Sequence, residues 1–146
     1  MIRQLRKICD IDDQAPDDAV GQFSWDMVAN SVTGDAEVAR LFGFSPVLLA
    51  TGLSIEPMIA QIHLNDRARV ARSIHAAIVD GTLYQERYRV TADGTSYHWV
   101  FSVGRCFGYT DGLPTLWTGF VCAVAAPDEI LSERTGAVSN VVKFRR

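Results

Sequence analysis

The chain has 146 residues, room for one domain around a single core. Hydrophobic residues make up 48% and charged residues 21%, the balance of an ordinary globular fold. The formal charge of −3, from 14 basic and 17 acidic residues, gives no electrostatic case for nucleic acid, whose binders carry a basic excess.

The first residues, Met1–Cys9, mix charge with hydrophobe and lack the continuous apolar core of a secretory leader. No run approaches the roughly 20 apolar residues of a membrane span, so the expected setting is cytoplasmic, with no membrane partner. Cys9, Cys106 and Cys122 form neither a CxxC nor a Cys/His ligand spacing, and no metal site is expected.

In chain order, Ile2, Leu5, Ile8 and Cys9 fall at helical spacing with Arg3, Arg6 and Lys7 between them. This predicts a short amphipathic helix that needs a partner surface, because helices of this length do not persist alone in water. An acidic linker broken by Pro16 follows, making residues 1–20 a helix and linker, 21–125 the folded domain and 126–146 a short tail. Phe23, Trp25 and Met27 predict a first strand, and residues 30–33 a second. Ala36 to Phe42 reads as a short helix closed by Gly43, and Ser45-Pro46 as the start of a loop. Ile55, Met58, Ile59 and Ile62 recur at 3.6 spacing and predict another helix. The longest helix follows, with Asn65 or Asp66 as the expected N-cap, Val70, Ile74, Ala77 and Ile78 on its buried face and Asp80-Gly81 as its stop.

After Gly81 the period becomes two. Tyr84, Glu86, Tyr88 and Val90 share one face, with Leu83, Gln85, Arg87, Arg89 and Thr91 on the other. Asp93-Gly94 predicts a tight hairpin turn. The next strand alternates Tyr97, Trp99, Phe101 and Val103 against His98, Val100, Ser102 and Cys106. Asp111-Gly112 then leads into a strand from Thr115 to Val124 that is apolar on both faces. Two strands, a run of short helices and three strands give an α+β fold: a five-stranded antiparallel sheet with one layer of short helices, plus the N-terminal helix. The helical layer covers one sheet face. The other face is also apolar and calls for the N-terminal helix, a second copy of the chain, or both.

From Gln22 to Ala125 the chain resembles the PAS fold in its PAS-PAC form. The resemblance rests on Phe23-x-Trp25-Asp26, Leu41-Phe42-Gly43-Phe44, His63-x-x-Asp66-Arg67, Tyr88-Arg89-Val90 with Asp93-Gly94, Trp99-Val100, and Asp111-Gly112-x-Pro114 followed by Gly119. It implies a sensory or interaction module that holds a small ligand between helices and sheet, or dimerises, and passes the change to an output partner. Leu64 stands where the family usually has Pro, and residues 95–98 make a linker one residue longer than usual. Ala123-Val124-Ala125 replaces the Asp-Ile-Thr triplet that anchors the exit helix in many signalling members. No output unit follows in the sequence, so a sensor of this kind is expected to act on a signalling partner in trans.

The pocket candidates are Met58, Ile62, Ile74, His75, Ile78, Tyr88 and Phe101, which otherwise simply fill the core. The resemblance leaves haem open through His75 on the long helix, against a plainer reading of His75 as a solvent-side residue. It also implies no flavin-cysteine photochemistry, because the Asn-Cys-Arg-Phe-Leu-Gln stretch of the light-sensing branch is missing. His63 reads as part of the inter-helix turn that it helps to cap, and His98 as a residue that lines a pocket or sits under the terminal helix. Homodimer-interface candidates are Ile2, Leu5, Ile8, Trp99 and Trp117. A small cone-shaped α+β enzyme using Asp26 and Tyr88 is the alternative of a different class, disfavoured because no nucleophile–base pair stands at recognisable spacing. A ligand-free dimerisation module is the third.

Overall fold

The computed structural model describes residues 20–127. The candidate interface residues Ile2, Leu5 and Ile8 lie outside this range, with the predicted N-terminal helix and the tail. The elements are β1 (Val20–Asp26), β2 (Ser31–Gly34), α1 (Ala36–Phe42), α2 (Pro46–Thr51), α3 (Ile55–Ala60), α4 (Leu64–Asp80), β3 (Tyr84–Thr91), β4 (Tyr97–Thr110) and β5 (Leu113–Ala123). They form the expected α+β architecture. The five strands make one antiparallel sheet in the order β2-β1-β5-β4-β3, and the four helices fill the crossover between its two edge strands.

Local chemistry explains the boundaries. Asp35 caps α1: one carboxylate oxygen accepts from Val38 N at 3.1 Å and the other from Gln22 N at 3.0 Å, tying the helix start to β1. Gly43 ends α1 at φ +77°, where a Cβ would lie 2.1 Å from the Ala92 carbonyl oxygen. Asp111 and Gly112 both take positive φ (+54° and +79°), the signature of the two-residue turn that joins β4 to β5.

Three local expectations are corrected. Ser45-Pro46 opens a helix, not a loop: Ser45 Oγ accepts from Leu48 N, and Pro46 sits in the first turn, where its missing N–H costs nothing. The cap of α4 is neither Asn65 nor Asp66 but His63, whose Nδ1 accepts from Asn65 N at 3.1 Å. Asp66 turns instead toward β3. The Asp93-Gly94 turn is a five-residue loop: Asp93 Oδ1 accepts from the amides of Thr95 and Ser96, at 2.8 and 2.9 Å, and those bonds hold its carboxyl well below the usual carboxylate range.

The main core lies between the helices and one sheet face and includes Val32, Val38, Leu41, Leu49, Val90, Val100 and Val121, all essentially inaccessible. On the other face Val20, Phe101, Val103 and Cys122 form a second buried apolar cluster, with Phe120 and Val124 against it. The crossover is hydrogen-bonded to both sheet margins. Leu53 exchanges backbone bonds with Val32 of β2 (2.6 and 2.9 Å). Gln61 O accepts from Thr91 N at 3.0 Å, and His63 N donates to Arg89 O at 2.8 Å, with Ile62 bridged to Val90 of β3.

Asp66 anchors the same margin. Its buried carboxylate accepts from the backbone N, Nε and Nη2 of Arg89 at 2.9, 2.9 and 2.7 Å, with Arg69 3.5 Å away. Burial pushes its pKa up, but the hydrogen bonds and charge of Arg89, with help from Arg69, outweigh that and hold it below the ordinary carboxylate value.

Candidate functional site

Between α3, α4 and the helix-facing side of the sheet lies a cavity of about 320 Å³, within the size range of small-molecule sites. Its floor is aromatic: Phe23 and Trp25 from β1, Tyr84 and Tyr88 from β3, and Trp117 from β5. Its roof is aliphatic, from Ile55, Met58 and Ile59 on α3 and Val70, Ile74 and Ile78 on α4.

Each floor side chain has a positional cause. Pairing sets Trp25 directly opposite Trp117 and Tyr84 opposite Gly104, so these positions share the helix-facing side. Trp25 Nε1 donates to Asn30 Oδ1 at 3.1 Å. Asn30, at φ +52° in the β1–β2 turn, also accepts from Ile55 N at 3.3 Å and so joins the floor to the start of α3. The Trp117 indole lies flat on Gly104, where a Cβ would approach three of its ring atoms to 2.6 Å. Tyr84 meets Trp117 edge-on, with ring centroids 5.5 Å apart.

Polar groups are few, and most are already engaged. Burial pushes the Tyr88 phenol up to about 12, although a hydrogen bond with buried Ser102 partly counters it. Arg67 spends its guanidinium on the carbonyls of Ile62 (2.8 Å) and Ala60 (2.9 Å). Glu86 is held by Arg69 and Ser73. Tyr84 differs: the residue is 4% exposed, its hydroxyl has no hydrogen-bond partner, and burial drives its pKa far above the ordinary phenol value.

Of the pocket residues expected from sequence, Met58, Ile62, Ile74, His75, Ile78 and Tyr88 all line the cavity, His75 from the exposed side of α4. Phe101 does not. It lies in the cluster on the opposite face, with the Arg87 guanidinium 5.6 Å from its ring centroid. Trp117, an expected interface residue, is 3% exposed and belongs to the cavity floor. Trp99 is on the face away from the helices, beneath the Arg89 guanidinium at 5.2 Å. Phe23, Trp25 and Tyr84 also line the cavity, and the one sequence signal for them is the strand parity Tyr84 shares with Tyr88.

His98 is half-buried outside the cavity lining. Burial lowers its pKa, nearby Arg40 adds to the effect, and Asp93 opposes it. Asp26, one of the two residues drafted for catalysis, serves the β1–β2 turn, accepting from Val28 N and Ala29 N at 3.0 Å each. Among the described residues no cluster of His, Cys, Asp or Glu could hold a metal, and no helix is long and apolar enough to cross a membrane. The chemistry on offer is a mostly apolar cleft in which the Tyr84 hydroxyl is the buried lining group without a partner.

A helical crossover clasping an aromatic cavity against a five-stranded sheet is the build of small sensory modules. The family model described as PAS fold matches residues 31–121, well over half the sequence, and the chain belongs to that family. Solved structures agree on the fold. A sensory box histidine kinase/response regulator from Burkholderia thailandensis superposes with a TM-score of 0.67 at 20% identity, covering 100% of both chains. The N-terminal domain of a diguanylate cyclase with PAS/PAC sensor from Marinobacter aquaeolei gives 0.61 at 15% identity, covering 71% of this chain and 94% of that one. A PAS domain from Colwellia psychrerythraea gives 0.57 at 13% identity, covering 85% and 97%. No curated protein matches the sequence.

Proposed function

We propose that this PAS-fold chain is a sensory module that holds a small apolar ligand in its central cavity and passes the occupied state to a protein partner in trans, as a homodimer and without catalysis of its own. One observation carries the ligand reading: a cleft of about 320 Å³, partly open to solvent, between five aromatic side chains and an aliphatic roof. Cores normally close to near-crystalline density, so space of this size and shape is what a binding site retains. The homologous output kinase and cyclase names belong to the neighbours, and they support signalling as the setting.

Native mass spectrometry of the full chain, with an absorption spectrum of the same sample, tests this directly. The expected result is a dimer carrying a small organic adduct that is released on unfolding. Val70→Phe, which projects a ring into the cavity, should abolish the adduct while the protein still folds. A folded dimer without adduct, whose tryptophan emission is unmoved by apolar additives, would leave a dimerisation module.

A further inference from the structure

We infer that the cavity is selective for an uncharged, ring-bearing ligand of fused-bicycle size that presents one hydrogen-bond acceptor to the Tyr84 hydroxyl. This rests on the ligand-sensing reading and names the chemistry of the occupant.

Size comes first. An apolar cavity of about 150 Å³ accommodates one benzene, so about 320 Å³ holds two fused rings. Shape comes from the walls: Phe23, Trp25, Tyr84, Tyr88 and Trp117 present ring faces and edges on one side, with branched aliphatic groups opposite. A flat ring meets such a floor edge-to-face or in offset stacking, whereas a flexible chain would lose rotamer freedom for the same area.

Charge is excluded by what the lining lacks. Among the described residues no carboxylate lines the cavity; Arg67 does, with Nε and Nη2 spent on two backbone carbonyls, and His75 does so from the exposed side of α4. A cationic ligand would be buried without a counter-charge, and an anion would compete with those carbonyls for Arg67, so either gives up its hydration for little return.

Polarity is set by Tyr84. Among the described residues the buried side-chain atoms without a partner are Tyr84 Oη and His98 Nε2, and only Tyr84 lines the cavity. Its phenol keeps its proton, so it arrives as a donor, and the matching ligand atom is a carbonyl-type or ether oxygen. Ser102 engages the Tyr88 hydroxyl, which leaves Tyr84 as the buried lining hydroxyl without a partner.

The test titrates full-length protein with three probes and follows tryptophan emission, since Trp25 and Trp117 both line the site. The probes are 1-tetralone (neutral, bicyclic, one acceptor), tetralin (the same bicycle without it) and 1-naphthoate (bicyclic and charged). Wild type should bind tetralone about tenfold more tightly than tetralin, the worth of one buried hydrogen bond, and naphthoate most weakly. Tyr84→Phe removes only the hydroxyl and should equalise tetralone and tetralin by weakening tetralone alone. Equal binding of the two in wild type, with displacement by filling Val70→Phe, would overturn the acceptor assignment and keep the apolar site. Tightest binding of naphthoate would overturn the neutral assignment. If no probe binds wild type, the cavity reading falls and this inference with it.

Discussion

Replacing Asp66 with alanine removes the anchor between the long helix and the edge strand, and the size of the loss can be worked from its surroundings. The carboxylate is buried and accepts three hydrogen bonds from Arg89. Removing one partner of a buried ion pair costs about 3–5 kcal/mol, mostly because the other charge is stranded. Here Arg89 keeps 29% of its side chain in solvent and retains its seat over Trp99, so the loss falls below that range. The expected loss is therefore about 2–3 kcal/mol.

With a urea slope of about 1–3 kcal/mol per molar, this moves the unfolding midpoint down by roughly 0.7–3 M. The carboxyl titrates below its ordinary value in the folded state. Its stabilising contribution is thus complete above the unfolded pKa of about 4 and is lost as pH falls through the lower, native value. Urea unfolding of wild type and Asp66→Ala should differ fully at neutral pH and converge in acid. A gap under about 0.5 kcal/mol, or one of the same size at both ends of the pH range, would refute the claim that the ionised pair holds this edge.

Gly104→Ala should push the Trp117 indole off its seat into the cavity and cost about 1–3 kcal/mol, seen as a lowered unfolding midpoint with a changed near-ultraviolet dichroism spectrum. Tyr84→Phe should stabilise the ligand-free protein by about 1 kcal/mol, because it deletes a buried hydroxyl without a partner; a loss of stability in urea would show that the hydroxyl is satisfied. In an alkaline absorbance titration, Tyr84 and Tyr88 should ionise after the ordinary phenol range near 10, and full tyrosinate signal should require unfolding. Because the folded state holds those protons more tightly than the unfolded chain, stability should decline as pH rises from about 10 toward 12. A full tyrosinate signal from folded protein at about pH 10 would contradict this.

The element order was legible because its signals are local. Gly43 and Gly81 end helices where left-handed backbone is needed, and Asp111-Gly112 forms a two-residue turn. The helix at Pro46–Thr51 was missed although Ser45-Pro46 is a good start signal, because so few residues follow that no period develops. The cavity was half legible. Spacing on α3 and α4 picked out its roof, but β4 and β5 are apolar on both faces, so composition gives no sign of which parity meets the helices. Pairing decides it: Tyr88 stands opposite Val100, which turns Ser102 inward and Phe101 away, and Trp25 stands opposite Trp117. That register is a long-range property, beyond any window of neighbouring residues.

The two seams that join the crossover to the sheet have a mechanical meaning. Leu53 is moored to one rim and Ile62 to the other, so α3 hangs between them like a bridge deck between piers on opposite banks. Any force on that deck is therefore carried to both edges of the sheet. The same moorings occupy stretches of backbone on β2 and β3 that would otherwise be open to a stranger's strand. The suspension that holds the deck also guards the two banks.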